Sequence, residues 1–303
     1  IQLLNIINSF KPDLIQTVAL KPILYGSLCS FLFDKSIKLN VSSIVGLGYL
    51  FINKGFINNI VKNIIEFFLR IFFKKKNSLV VFQNKDDQNL FINKKIVKIE
   101  QTRIIAGSGV NIKFFKPAPE VKKKFDLIMH SRMLVDKGVF DLIDSLKILR
   151  TKNLKLKVLL LGNPDKKNRA SIHEDELKVW DKENIIKWIP FTENVLPYIQ
   201  QSKIGILPSF REGFPKSLLE SASCGLPLIT TNVTGCREIC IDKFNGFLVK
   251  LNDPIQIADR IEKLLSNKEL QKNMGINSRK LVVNNFSDEI ISKHFLKIYQ
   301  SIS

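Results

Sequence analysis

Apolar and polar positions along the chain follow two periods, short apolar runs of strand length and longer stretches with helical spacing. After an opening segment that reads as helix ("IQLLNIINSFKPD"), "PDLIQTV" is a short apolar run and "KPILYGSLCSFLFDK" is helical. "KLNVSSIVGLGYLF" reads as a strand breaking at Gly46 and Gly48. The long stretch "GFINNIVKNIIEFFLRIFFKKKN" reads as a helix, and "SLVVFQN" and "KIEQTRIIAG" as strands. A basic, proline-containing stretch follows, "NIKFFKPAPEVKKKFD", which reads as a linker. The alternation then resumes, with strands in "DLIMHSRML", "LKVLLLG", "IIKWIPF", "IGILPS" and "LPLITTN". Helices are expected in "GVFDLIDSLKILRTK", "HEDELKVWDKE", "ENVLPYIQQS" and "PKSLLESASCG", and over 254–266 and 267–300. Apolar strands that lack clean alternation and are separated by helices predict parallel sheets covered on both faces. The fold class expected is α/β, two Rossmann-like doubly wound domains facing a cleft. The expected division is a first domain over 1–115, a linker over 116–123, a second domain over 124–282, and a C-terminal helix over 283–303 packing back on the first domain.

One motif raises a chemical question. "SFREGFPKSLLESASCGLPLITT" places Glu212 and Glu220 on either side of a glycine–proline turn that opens a helix. Pro215 suits the first helical turn and Gly225 the C-terminal stop. Gly213 lets a ligand approach the backbone closely, and the free N–H groups of the new helix suit an anion. A carboxylate only accepts hydrogen bonds, so it can grip neighbouring hydroxyls of a sugar or ribose. Diphosphate at a helix N-terminus, flanked by two hydroxyl-gripping acids, is the recognition problem posed by a nucleotide sugar. The plainer alternative is an amphipathic helix with one solvated glutamate. Upstream, "SRMLVDKGVFDLI" sets Arg132 at the end of an apolar strand and Lys137 five residues on, where phosphate neutralisation is expected in an open α/β sheet. Taken alone, the pair reads as two surface bases of a lysine-rich chain.

Composition narrows the partners. The 303 residues are 45% hydrophobic, a globular content with room for two domains, and the net charge is +19. Such a balance suits nucleic acid, an anionic membrane face or phosphorylated substrates, and is equally explained by a lysine-rich composition throughout. Recognisable nucleic-acid modules and interleaved aromatic and basic residues are lacking, so nucleic acid is not expected as a partner. Cys29, Cys224, Cys236 and Cys240 form no CxxC pair and have no histidine cluster, which disfavours a metal site and a disulfide framework. His130, His173 and His294 are scattered and read as structural. No apolar run reaches the roughly 18–20 residues of a spanning helix. "NIVKNIIEFFLRIFFKKK" combines an apolar stripe, bulky aromatics and a terminal lysine run; it reads as a monolayer-docking helix or as a buried helix with a solvated basic tip. The chain opens on Ile1 inside a helical pattern, and an N-terminally incomplete sequence is expected.

"SRMLVDKG", "LPSFREGFPKSLLESASCGLPLITTNVTGCREICID" and "NGFLV", in this order and spacing, resemble the C-terminal domain of glycosyltransferase family 4, retaining and metal-independent enzymes of GT-B architecture. "KPDLIQTVALKPILYGSLCS", "GLGYLF", "VFQNKDDQNLF" and "IIAGSGVNIKFF" resemble that family's N-terminal, acceptor-binding domain, so the resemblance covers nearly the whole chain. It implies a hexosyltransferase moving a sugar from a nucleotide diphosphate donor, UDP-linked by analogy of the "NVTGCREI" segment, to a polyprenyl-diphosphate-linked or glycan acceptor. It also implies no cofactor, no metal, and a place at the inner face of the cytoplasmic membrane. By position, Arg132 and Lys137 would bind the donor diphosphate, and Glu212 the transferred sugar. Gly213, Phe214 and Pro215 would present backbone, and Glu220 would hold the ribose with Leu219 beside it. Pro190 and Phe191 would lie against the base, and Gly46 would contribute from the first domain. Val45 stands where many members carry a histidine, which excludes side-chain catalysis at that position. The alternatives are a non-catalytic scaffold of the same fold and, on charge alone, a basic nucleic-acid-binding protein.

Overall fold

The computed structural model describes residues 2–32, 37–47 and 56–301. The chain divides into two compact units, one formed by Ile1–Ser108 with Ile291–Ser303 and the other by Gly109–Ile290.

The first unit contains α1 (Gln2–Phe10), β1 (Leu14–Val18), α2 (Leu20–Leu32), β2 (Leu39–Ile44), α3 (Phe56–Phe73), β3 (Ser78–Phe82), α4 (Lys85–Asn93) and β4 (Thr102–Ile104). The four strands pair in the order β1-β2-β3-β4, all parallel, with Val41 opposite Gln16 on one side and Leu79 on the other. Successive strand residues serve opposite faces. Val80 and Phe82 pack with Ile23 of α2 and Leu69, Phe72 and Phe73 of α3. Val81 and Val41 pack on the other side with Ile291 and Ile298 of the last helix, α12 (Asp288–Gln300). The inner strand β3, largely buried on both faces, therefore reads as an apolar run rather than an alternating one, whereas the edge strands β1 and β4 are partly exposed. Helix α4 has no counterpart in the sequence reading. It is built on local capping chemistry, Asn84 accepting from the Asp87 N–H at 2.8 Å, not on an apolar stripe. The expected strand over "KIEQTRIIAG" shortens to three residues preceded by a 3₁₀ turn over Ile99–Gln101. Gly46 follows β2 at φ 141. Gly48, the rest of "GLGYLF", the first residue of the expected α3 stretch and the tail of "SFLFDK" lie outside the described residues.

The second unit contains β5 (Phe125–His130), α5 (Val139–Thr151), β6 (Val158–Leu161), α6 (Glu174–Lys182), β7 (Lys187–Ile189), α7 (Leu196–Gln200) and β8 (Ser202–Leu207). It continues through α8 (Lys216–Ser223), β9 (Leu228–Thr231), α9 (Cys236–Ile239), β10 (Gly246–Val249), α10 (Pro254–Ser266) and α11 (Lys268–Asn285). Its six parallel strands run β10-β9-β8-β5-β6-β7. The chain therefore steps outward from β5 to β7, returns to the other side of β5, and steps outward again. That order is the doubly wound one, with its reversal between β5 and β8, where a crevice opens at the carboxyl ends of the strands. Leu127 and Met129 of β5 pack with Leu218, Leu219 and Ala222 of α8, while Ile128 faces the opposite side with Ile199 of α7.

Two boundaries differ from expectation. Residues 109–123, expected to straddle a linker, belong to the second unit, because Val110 exchanges backbone bonds with Phe286 and Asp288. Arg279 also donates to the carbonyls of Ile112 and Phe115, at 2.9 and 2.8 Å. The single helix expected over 267–300 is two, broken at Phe286 and Ser287, where the chain bridges Val110. The strand β10 and the short α9 form where the sequence shows only motif residues, "NGFLV" and "NVTGCREI".

Candidate active site

Strand β5 ends at His130, two residues before Arg132, and the chain then turns through a 3₁₀ segment, Val135–Lys137, that stops at Gly138. Gly138 has φ 74, and a Cβ there would lie 1.9 Å from the Pro208 carbonyl oxygen, so the loops after β5 and β8 touch backbone to backbone. The Asp136 carbonyl accepts from the Phe210 N–H at 2.8 Å and from the Ser209 hydroxyl at 3.0 Å. A third loop joins them. The Glu212 N–H donates to the Thr234 carbonyl at 3.1 Å, and a Cβ at Gly235 would fall 2.6 Å from the Glu212 oxygen. The sequence folds this way because adjacent strands at the switch point deliver their following loops to one place.

On this frame Lys137 Nζ reaches Glu212 Oε1 at 2.6 Å, with side chains 14% and 13% exposed. Arg132 Nη1 bonds Asp165 Oδ2 at 2.8 Å in the loop after β6. Helix α8 starts at Lys216 behind Pro215, with no side chain among the described residues capping it. Its first N–H groups have no intrahelical partner and give that end partial positive charge. Glu220, in the second turn, accepts from His130 Nε2 at 3.1 Å, and Lys216 Nζ stands 4.0 Å from its other oxygen. Below the loop, burial first and the Glu212 charge second push the Cys236 thiol up to about 12, while Thr230 and Thr231 bond its sulfur.

A cavity of about 700 Å³ gathers His130, Arg132, Lys137, Asp165, Phe191, Glu212, Pro215, Lys216 and Glu220 along its walls. Its size fits a small organic ligand. Of the expected residues, Arg132, Lys137, Phe191, Glu212, Pro215 and Glu220 therefore share one hollow. Phe191 is 68% exposed at its edge, with Pro190 exposed beside it. Phe214 packs on the core with its ring edge-on to Phe286 at 5.2 Å, and neither it nor Gly213 is among the residues that line the cavity. Leu219 departs from expectation: at 1% exposure its side chain belongs to the core, because the helical face that carries it packs on the sheet. Gly46 lies in the first unit. His130, expected to be structural, lines the cavity and bonds an acid. Its place as the last residue of the strand beside the switch point was the available signal. A second hollow, of about 640 Å³, lies at the opposite ends of β5, β6 and β7 among Lys157, Lys182 and Lys187, and has neither an acid pair nor a helix N-terminus. Among the described residues no three His, Cys, Asp or Glu side chains gather as metal ligands, and no helix is long and apolar enough to cross a membrane.

The family described as glycosyl transferases group 1 matches residues 110–281, more than half of the chain and nearly the whole second unit. The chain belongs to that family. Its residues 110–281 carry every side chain of the cavity. Among curated relatives, this group 1 chain is 32% identical over 170 residues to the capsular polysaccharide biosynthesis glycosyltransferase CapM of Staphylococcus aureus, an alignment covering 56% of this chain and 44% of CapM. It is 24% identical over 313 residues to the N,N'-diacetylbacillosaminyl-diphospho-undecaprenol alpha-1,3-N-acetylgalactosaminyltransferase of Campylobacter jejuni, covering 99% of this chain and 80% of that protein. Among solved structures, HepE of Anabaena, crystallised with UDP, superposes with a TM-score of 0.82 at 18% identity over 99% of this chain and 81% of HepE. That likeness bears out the α/β fold class, two parallel sheets of the GT-B kind.

Proposed function

We propose that this group 1 glycosyltransferase is a retaining, family 4 hexosyltransferase that takes a hexose or N-acetylhexosamine from a UDP-linked donor. The observation that carries the reading is the convergence of Lys137, Arg132, Glu212, Glu220 and the uncapped start of α8 on one cavity. In this reading the diphosphate sits against the α8 N-terminus, with Lys137 and Arg132 on its oxygens. Glu212 grips hydroxyls of the transferred sugar, Glu220 holds the ribose, and Pro190 and Phe191 border the base. As the anomeric C–O bond breaks, positive charge builds on the sugar and negative charge on the departing diphosphate. Fixed cations and helix N–H groups stabilise that negative charge in place, which is the task a metal would otherwise perform. The acceptor hydroxyl attacks from the leaving-group face, its oxygen joins the anomeric carbon, and its proton passes to the departing phosphate. Arg132 bonds Asp165 and Lys137 bonds Glu212 at the cavity wall, so an incoming diphosphate competes with those two acids for them.

The acceptor in this reading is a polyprenyl-diphosphate-linked or growing glycan, by analogy with the Campylobacter relative's name. Work on such a substrate places the protein at the inner face of the cytoplasmic membrane. Helix α3 supports that placement: Ile60, Ile64, Phe67 and Phe68 are exposed at helical spacing, and Lys74, Lys75 and Lys76 follow. A thermal-shift screen of nucleoside diphosphates and nucleotide sugars tests the donor. UDP should raise the melting temperature where ADP and GDP do not, since a ligand that binds only the folded state stabilises it by mass action. A screen in which no nucleotide shifts the melt would overturn the reading.

A further inference from the structure

We propose that His130 is a positioning residue for the donor, its imidazole holding the Glu220 carboxylate in the orientation that receives the ribose. The inference rests on the reading of Glu220 as the ribose-binding acid and names the residue on which that acid depends. His130 closes β5, one of the two strands at the switch point, while Glu220 comes from the second turn of α8. They are 90 positions apart in sequence and meet at 3.1 Å between Nε2 and Oε2. An ionised carboxylate can only accept, so the imidazole Nε2–H donates.

Burial makes this bond more than incidental. The His130 and Glu220 side chains are 7% and 11% exposed, and both line the cavity. Of the three histidines His130 alone is buried; His173 and His294 are exposed. A glutamate's last torsion is broad and roughly two-fold, so the helix alone does not determine where its oxygens point. The competing neighbour, Lys216, is 66% exposed and 4.0 Å from Oε1, and exposed pairs of that kind hold little. A hydrogen bond in a water-poor site is stronger and its loss dearer, because the carboxylate oxygen is then left buried without a partner. With Oε2 committed to His130, Oε1 is presented at a set angle, and a hydroxyl binding there need not spend free energy ordering the acid.

The test titrates UDP, ADP and GDP calorimetrically into the wild type and takes the tightest of the three as probe. His130→Ala should weaken the probe about tenfold, the loss of one hydrogen bond to a charged group. His130→Gln, which keeps a donor at similar reach, should recover most of that affinity and melt near the wild-type temperature. Glu220→Ala should weaken binding at least as much, and adding His130→Ala to it should change affinity by no more than about twofold, because the two act as one unit. Independent, multiplying effects of the two substitutions would overturn the proposal. So would wild-type affinity in His130→Ala, or joint loss of melting temperature and affinity with no rescue by Gln. If Glu220→Ala weakens the probe and the His130 variants do not, this inference alone fails. If no nucleotide binds the wild type, the donor reading fails and takes the inference with it.

Discussion

Lys137 and Glu212 lie 2.6 Å apart and largely out of water, so each is the other's partner until an anionic ligand offers an alternative. In the proposed mechanism Lys137 stabilises the leaving diphosphate. Lys137→Ala should accordingly lower turnover by about one to three orders of magnitude, the range for removing one preorganised donor. Steady-state kinetics with the nucleotide sugar found in the screen decide it, and turnover near wild type would remove Lys137 from the chemistry. A different carboxylate yields a pH prediction. Burial first, and the nearby Asp144 second, raise the Asp141 carboxyl above its ordinary value of 3.8, and one of its oxygens is buried without a partner. A folded-state pKa above the unfolded one means the folded chain binds the proton more tightly, so Asp141's contribution to stability falls as pH rises past 3.8. Asp141→Asn cannot titrate, so its melting-temperature advantage over wild type should be larger at about pH 7 than at about pH 4. An equal difference at both pH values would sink this assignment. At this scale the sequence motif already named Arg132, Lys137, Glu212 and Glu220. His130 and Asp165 escaped it because their roles depend on partners 90 and 33 positions away.

Loops between elements carry the site, and their shape depends on close backbone approach. Gly138 ends the turn after β5 in the left-handed region with Pro208 pressed against it. Gly138→Ala should cost about 2 kcal/mol or more, since a side chain is strained at that φ and the carbonyl must also give way. Calorimetry should show a melting temperature lower by at least about 5 °C, together with weaker nucleotide binding as Lys137 shifts from Glu212. A variant that melts like wild type would mean the two loops can part without strain. Among the elements, those in apolar or amphipathic runs were legible: α5, β6, α8 and β9 fall inside the runs expected of them, and β5 and β8 begin one and two residues before theirs. Helix α4 was not, because its mean hydropathy is low and its start depends on Asn84 capping chemistry. The split of the last helical stretch was legible only in part. A local signal was present, since Ser287 accepts from the Ile290 N–H at 3.3 Å and Asp288 and Glu289 follow it in the first turn. The pairing with Val110, far away in sequence, was not readable.

Across the whole molecule the charge of +19 acts through surfaces rather than through the fold. If α3 docks on an anionic bilayer, the protein should sediment with vesicles containing acidic lipid and much less with neutral ones. Raising salt from about 0.1 to about 1 M should weaken the attachment, since the Debye length shrinks from about 10 to about 3 Å. Ile64→Glu with Phe67→Glu should abolish it, and equal sedimentation of wild type and variant would show that another surface binds. By itself the sequence determined the parallel α/β class, because strands buried on both faces are predominantly apolar without clean alternation and are separated by helices. It also supplied the candidate residue types, two acids around a glycine–proline turn that opens a helix and a basic pair upstream. Tertiary structure alone decided which of those residues share a hollow. Strand order is set by packing at long range: placing β8 beside β5 rather than beside β7 is what brings Lys137 to Glu212 and His130 to Glu220. No local pattern in the chain encodes that adjacency, because it arises only when both faces of the sheet are covered at once.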